Sequence, residues 1–426
     1  MTARRLMALV AVGGLGAMVG FGGSSAASAS PSVTLQFWST YNTADKEAST
    51  FKNVIIPKFE KENPGIKVDS VIYPYADLLP KFLATSAAGD PPDLMRSDIA
   101  WVPELASQGV IDDVGNLPGF AAIKKNTLPG PLATTRIPTG EKPGYYALPD
   151  DTNTQALYWN KADFAAAGIS GPPTTVTEMF ADAAKLTDPS KQQYGLGVDG
   201  TDIWNTAPYV WSLGGSFTDT KYTAASGYMD SPATQAAVTQ LLGLLKSGDI
   251  GSDFQGGASA VSGEQGFPKG QYAMYIDGPW AVPTFKSDTP VPSYGIAPFP
   301  KGPAGSFSTV GGEDTVIATG GHHVAAAEKF AEFLTTPFAQ DAMAAAGDMS
   351  AMKSDAASEV KATPYYKVFA KQLQTAKVRA VSAGYSLMDT DWSNALGEIL
   401  AGKVSVTIGL KEAAHASDQA LQGLGG

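Results

Sequence analysis

Tryptophans set beside loop-forming residues are the most suggestive chemistry in this chain. There are seven tryptophans and sixteen tyrosines, and several fall next to Gly, Pro, Asn or Asp rather than at helical spacing inside apolar runs. A pyranose has apolar C–H faces and a rim of hydroxyls, so a site for one needs flat rings to stack on and Asp, Glu, Asn or Arg to pair the rim. Trp38, Trp101, Trp204, Trp280 and Trp392 suit the stacking role. Each can equally be a half-buried core ring, although Gly278-Pro279 before Trp280 argues for exposure there. Two acidic pairs, Asp150-Asp151 and Glu313-Asp314, raise glycoside hydrolysis as the alternative. That chemistry needs two carboxylates at a controlled separation about the scissile bond, which adjacency in sequence does not supply. Asp93 is another acid of interest, with a turn or helix cap as its simpler role. Of three histidines, His322-His323 lack the i, i+4 spacing of a helical zinc motif and read as surface residues.

Those residues must be positioned by recognisable elements. A β-prone run over 33–38 is followed by Ala48, Phe51, Ile55 and Phe59 at helical spacing, and Asn63-Pro64-Gly65 stops that helix. Residues 68–73 read as a strand, 75–88 as a helix and 93–97 as a strand. This alternation predicts an α/β fold with a mostly parallel sheet, whose ligands sit at the carboxyl ends of strands. Trp38, Tyr41, Asp98 and Trp101 lie at those ends. An irregular stretch over 114–149 leads to a strand over 154–160 and helices over 161–167 and 177–186. Further on, 231–247 reads as a helix, 272–276 as a buried strand, and 325–334, 337–346, 392–400 and 408–421 as helices. Lobe crossings are expected near 150–153 and in the Pro/Gly-rich stretch 290–305. There is no internal repeat.

Length and charge narrow the function. A chain of 426 residues is long enough for two or three compact units. Arg4 and Arg5, an apolar stretch over 6–21 containing or adjoining six glycines, and the triplet Ala27-Ser28-Ala29 form an expected secretory signal peptide over 1–29, cleaved near Ala29. An uncleaved membrane anchor is the alternative, and twin-arginine export is compatible with the basic pair. Removing it moves the net charge from −11 to −13. Such acidity disfavours nucleic acid and anionic lipid as partners. The absence of cysteine excludes disulfides, thiolate chemistry and attachment through a lipidated cysteine.

Phe37-Trp38-Ser39, the run 59–68 (FEKENPGIKV), Gly89-Asp90-Pro91-Pro92-Asp93-Leu94, and Leu157-Tyr158-Trp159-Asn160-Lys161 with Ala167-Gly168 occur in order. Ala273-Met274, Asp277-Gly278-Pro279-Trp280, Gly311-Gly312 and the run 327–334 follow. Together these motifs resemble the maltose-type, family 1 extracellular solute-binding proteins of bacterial ABC importers, across nearly all of the chain after residue 30. The resemblance implies a two-lobed periplasmic-binding-protein-like fold with a hinge and an interlobe cleft, the lobes being 30–151 with 308–345 and 152–307 with 346–426. It implies a non-catalytic monomer that carries a small carbohydrate ligand to membrane permease subunits, with no cofactor or metal, in a periplasmic or extracellular location. The site residues it implies are Trp38, Tyr41, Asp98, Trp101, Asn153, Trp204, Trp280 and Glu313, with Arg379, Tyr385 and Trp392 from the final segment.

Overall fold

The computed structural model describes residues 32–41, 43, 46–137, 143–256, 261–287 and 292–423, so the expected signal peptide lies outside the described residues. In chain order the strands are β1 Val33–Ser39, β2 Ile66–Ile72, β3 Leu94–Asp98, β4 Arg136–Ile137, β5 Gly144–Tyr145, β6 Leu148–Pro149 and β7 Asp151–Thr154. They continue as β8 Ala156–Asn160, β9 Met274–Asp277, β10 Tyr294–Ala297, β11 Val310–Gly311, β12 Glu313–Ile317 and β13 Met349–Ser350. The fold is the expected mixed α/β architecture in two lobes.

The first lobe is built on a five-stranded sheet in the order β2-β1-β3-β12-β6. Strands β1, β2 and β3 run parallel, with Phe37 opposite Leu94 and Val33 opposite Ile66, while β12 returns antiparallel to β3. Side chains alternate across a strand with period two, and here both faces are buried. Leu35, Phe37, Leu94 and Ile317 enter one apolar cluster with Phe51, Phe59 and Phe330. Trp38, Met95 and Val316 enter the other with Leu78, Phe82 and Trp101. The helix after β1 contains a π-helical turn, Phe51–Ile55, just before Pro57, whose missing N–H interrupts the ordinary ladder. The extra residue brings both Ile55 and Ile56 into the core beside Phe51 and Phe59. The stretch 114–149 is less irregular than its sequence reads. It holds the short helices Phe120–Asn126 and Pro129–Thr134 and the ribbon β4-β5.

The second lobe centres on an antiparallel sheet, β10-β8-β9. Leu157, Met274 and Ile276 face a cluster with Phe164, Trp211 and Leu241, whereas Ala156, Tyr158 and Tyr275 face one with Phe267 and Phe285. Its helices are well delimited. Thr175 and Glu178 form a capping box at Val176–Leu186, and Ser231 caps Pro232–Ser247 before Gly248 ends that helix.

Between the lobes a third small sheet, β11-β7-β13, gathers three separated chain segments. Gly311 pairs with Asn153, Val310 with Thr154, and Met349 with Thr152, all antiparallel. The run expected as one strand over 154–160 is therefore two, β7 in this sheet and β8 in the second lobe, with Gln155 between them. The stretch 290–305, expected as a crossing, carries regular structure. It contains β10, paired with β8, and places Phe299 in the second lobe's core, while β11 further on pairs with β7. Among the described residues no helix is long and apolar enough to cross a membrane.

Candidate functional site

At the carboxyl end of β3, the Asp98 carboxylate gathers three donors. The Ala100 amide and the Tyr75 hydroxyl donate to it at 2.7 and 2.9 Å, and Arg379 Nη2 at 2.7 Å. The first two come from the first lobe; Arg379 leads into the helix Tyr385–Leu400, whose Met388, Trp392 and Leu396 fill the second lobe's core, so this ion pair joins the lobes. Both side chains are nearly enclosed, at 7% and 11% exposure for Arg379 and Asp98. Burial works against the Arg379 charge, but Asp98, with Tyr385 and Tyr75, holds its pKa well above the usual value. A second link joins the lobes where Ser386 Oγ donates to Glu104 at 2.7 Å.

Aromatic rings surround that pair. Tyr75 lies 4.8 Å from Trp101, and the Arg379 guanidinium lies 5.4 Å from the Trp204 ring and 5.6 Å from that of Tyr385. Trp204 and Trp280 follow at 6.1 Å with an interplanar angle of 31°. Trp204 is held at the start of the helix Ile203–Ser212, where Asp202 accepts the Asn205 amide as cap and Asp389 accepts the amide of Ile203. Gln155 Nε2 donates to the Trp204 carbonyl at 2.9 Å. Trp280 ends the turn before the helix Ala281–Ser287 and folds back over Gly278, where any Cβ would collide with its ring. On the hinge, Asn153 carries a buried Oδ1 with no partner among the described residues. Flat rings beside a charged pair and an unpaired amide oxygen match the demands of a polyhydroxylated ring: faces to stack and hydroxyls to pair.

A distinct cluster adjoins this site through Glu313, which stands opposite Asp98. Arg96, on β3, reaches Asp150 at 3.0 Å, Glu313 at 3.1 Å and Asp348 at 3.6 Å, and also bonds Asp151, while its guanidinium lies 4.4 Å over the Tyr41 ring. These acids belong to or border β7, β12 and β13, so one buried cation ties the first lobe's sheet to the small sheet between the lobes. Burial raises the Asp151 pKa well above the usual range and Glu313 adds to it, with Arg96 pulling it down. Burial also raises Asp348, where Glu47 adds to the effect.

The structure thus brings Asp98, Asn153, Trp204, Trp280, Arg379 and Tyr385 into one continuous constellation, with Trp101 in the first lobe's core and touching it only through Tyr75. Glu313 stands opposite Asp98 in the β3–β12 register but is engaged by Arg96. Three expected residues lie apart from the constellation. Trp392 is fully buried in the second lobe, its ring edge-on to Phe217 at 4.7 Å and its Nε1 donating to Thr206. Trp38 packs on Tyr73 inside the first lobe's core, and Tyr41 packs on Phe37 and Phe51 with its hydroxyl toward Asp150. All three are core rings, as alternation and helical spacing allow for any large aromatic. Among the acids weighed for hydrolysis, Asp150, Asp151 and Glu313 share one guanidinium, and Asp314 is buried. Asp93 accepts the amides of Gln36 and His323, a capping role that brings His323 against it. Tyr75, Arg96 and Gln155 are absent from the expected residues, and Gly311 enters there only as part of the Gly311-Gly312 motif. Only Tyr75, an aromatic after Pro74 at a strand end, carried a local signal of the kind used for the other rings.

The family model for the bacterial extracellular solute-binding protein matches residues 44–341. A multiple sugar-binding protein of Streptococcus mutans is 26% identical over 318 residues, covering 71% of each chain. The GacH receptor of Streptomyces glaucescens, solved unliganded and with acarbose, superposes with a TM-score of 0.80 at 26% identity, covering 93% of this chain and 99% of its own. An ABC transporter solute-binding protein of Thermotoga lettingae, bound to α-D-tagatose, also gives 0.80 at 25% identity, covering 92% and 100%.

Proposed function

Because the chain belongs to the bacterial extracellular solute-binding protein family, we propose that it captures a sugar or oligosaccharide between its lobes and delivers it to the permease of an ABC importer. One observation carries this reading: the tilted Trp204–Trp280 pair lies beside the Asp98–Arg379 ion pair, to which each lobe contributes one partner. Ligand contacts that both lobes make only when closed shift an open–closed equilibrium, which is how a binder reports its load without chemistry. The Streptococcus relative and the acarbose- and tagatose-bound neighbours support carbohydrate as the ligand class.

In this reading the lobes are 30–151 with 308–345 and 152–307 with 346–426, hinged on β7, β11 and β13. The protein acts as a monomer without cofactor, exported by a signal peptide cleaved near Ala29. The hinge acids serve structure through Arg96, and the cleft residues serve as stacking faces and hydrogen-bond partners, so no sugar is hydrolysed. Titration calorimetry with maltose, D-tagatose, mannotriose and acarbose tests the proposal. Saturable binding of at least one, with the sugar recovered intact, supports it. Absence of binding to all four, or protein-dependent release of monosaccharide from a bound oligosaccharide, overturns it.

A further inference from the structure

We propose that Gly311 is a positioning residue for the cleft: by carrying no side chain on the hinge strand β11, it leaves the space that the Asn153 amide and the Trp204 indole share. The inference rests on the carbohydrate reading for its ligand and on the hinge geometry for everything else. Gly311 sits opposite Asn153 in the β7–β11 register. A Cβ there would clash with Asn153 Oδ1 and stand 2.6 and 2.7 Å from Cη2 and Cζ3 of Trp204. Side-chain carbons do not approach that closely, so both groups would have to move.

The requirement is one of space. Gly312, next along, has φ +130°, where glycine is favoured by the backbone itself, but Gly311 is not among the positive-φ residues. An alanine at 311 can keep the strand and still evict the ring. Trp204 is therefore gripped twice by the linking strands. Gln155, directly after β7, holds its carbonyl, and the open face of Gly311 receives the far edge of its indole. Any shift of β11 against β7 moves the stacking surface with it, which couples ring placement to the hinge.

The test is a cycle of variants: Gly311→Ala in the wild type and in an Asn153→Ala/Trp204→Ala background. Near-ultraviolet circular dichroism without ligand reports the indole environment, melting temperature reports folding, and calorimetry uses the tightest binder among maltose, D-tagatose, mannotriose and acarbose. In the wild type, Gly311→Ala is expected to change the indole band and weaken binding roughly 10- to 100-fold. In the background lacking both groups it is expected to change neither. An unchanged indole band in the single variant, or equal perturbation in both backgrounds, overturns the proposal, the latter because a purely backbone effect ignores the ring. If none of the four sugars binds the wild type, the carbohydrate reading fails, while the ligand-free spectra still decide whether Gly311 positions the ring.

Discussion

Replacing Asp98 with asparagine removes one charge from the contact that joins the lobes while nearly preserving shape. Across 2.7 Å, the attraction between Asp98 and Arg379 at an effective dielectric constant of about 20 is gross about 6 kcal/mol. Dehydrating a carboxylate and a guanidinium as the cleft shuts offsets much of that. The net value expected for hydrogen bonds to a charged group is about 1.5 to 3 kcal/mol. In an opened cleft both groups are hydrated, so the loss falls on the closed form alone. The closed population, and affinity for any sugar that needs closure, should therefore drop about 10- to 150-fold. Asparagine keeps one oxygen, enough for the Ala100 amide, so the turn after β3 should survive and the melting temperature should move little. Small-angle scattering of the ligand-free protein should show a larger radius of gyration for Asp98→Asn, and calorimetry a weaker Kd. An unchanged radius together with unchanged affinity would refute the ion pair as a closing contact.

Trp280→Ala should weaken sugar binding by about 2 to 4 kcal/mol with the fold intact, as for an aromatic anchor in a desolvated cleft; unchanged affinity in calorimetry would remove Trp280 from the site. Trp392→Ala should instead cost about 3 to 5 kcal/mol in urea unfolding, since the ring is fully buried and leaves Thr206 without its donor. If it weakens binding without destabilising the protein, its placement in the core is wrong. Burial and the neighbouring Asp202 push the Asp389 pKa up to about 7, so the folded state binds a proton that the unfolded chain has already released. That stabilisation is complete below about pH 4, the ordinary carboxylate range, and is lost as pH rises through about 7. The melting temperature should fall across that window, and Asp389→Asn, which keeps an acceptor for the Ile203 amide, should flatten the fall; an identical profile in the variant would exclude Asp389 as a source.

Local sequence determined most of the elements. The strand over 33–38, the helices around 75–88 and 231–247, and the stops at Gly65 and Gly248 follow from periodicity, caps and turn residues, which act within a few positions of one another. The glycine and proline before Trp280 also marked a ring set outside regular packing. Burial was decided elsewhere. Trp392 and Trp204 are alike in composition of surroundings, yet one fills a core and the other stands beside Arg379, because the difference lies in elements packed against them from distant parts of the chain. Arg96 receives its carboxylates only from residues near 150, 313 and 348, far along the chain. Likewise Gly311 meets Trp204 only through the pairing of β11 with β7. Spacing along the chain sets side-chain direction within an element, whereas exposure, ionic partners and close approach depend on which elements meet, and that is a property of the folded whole.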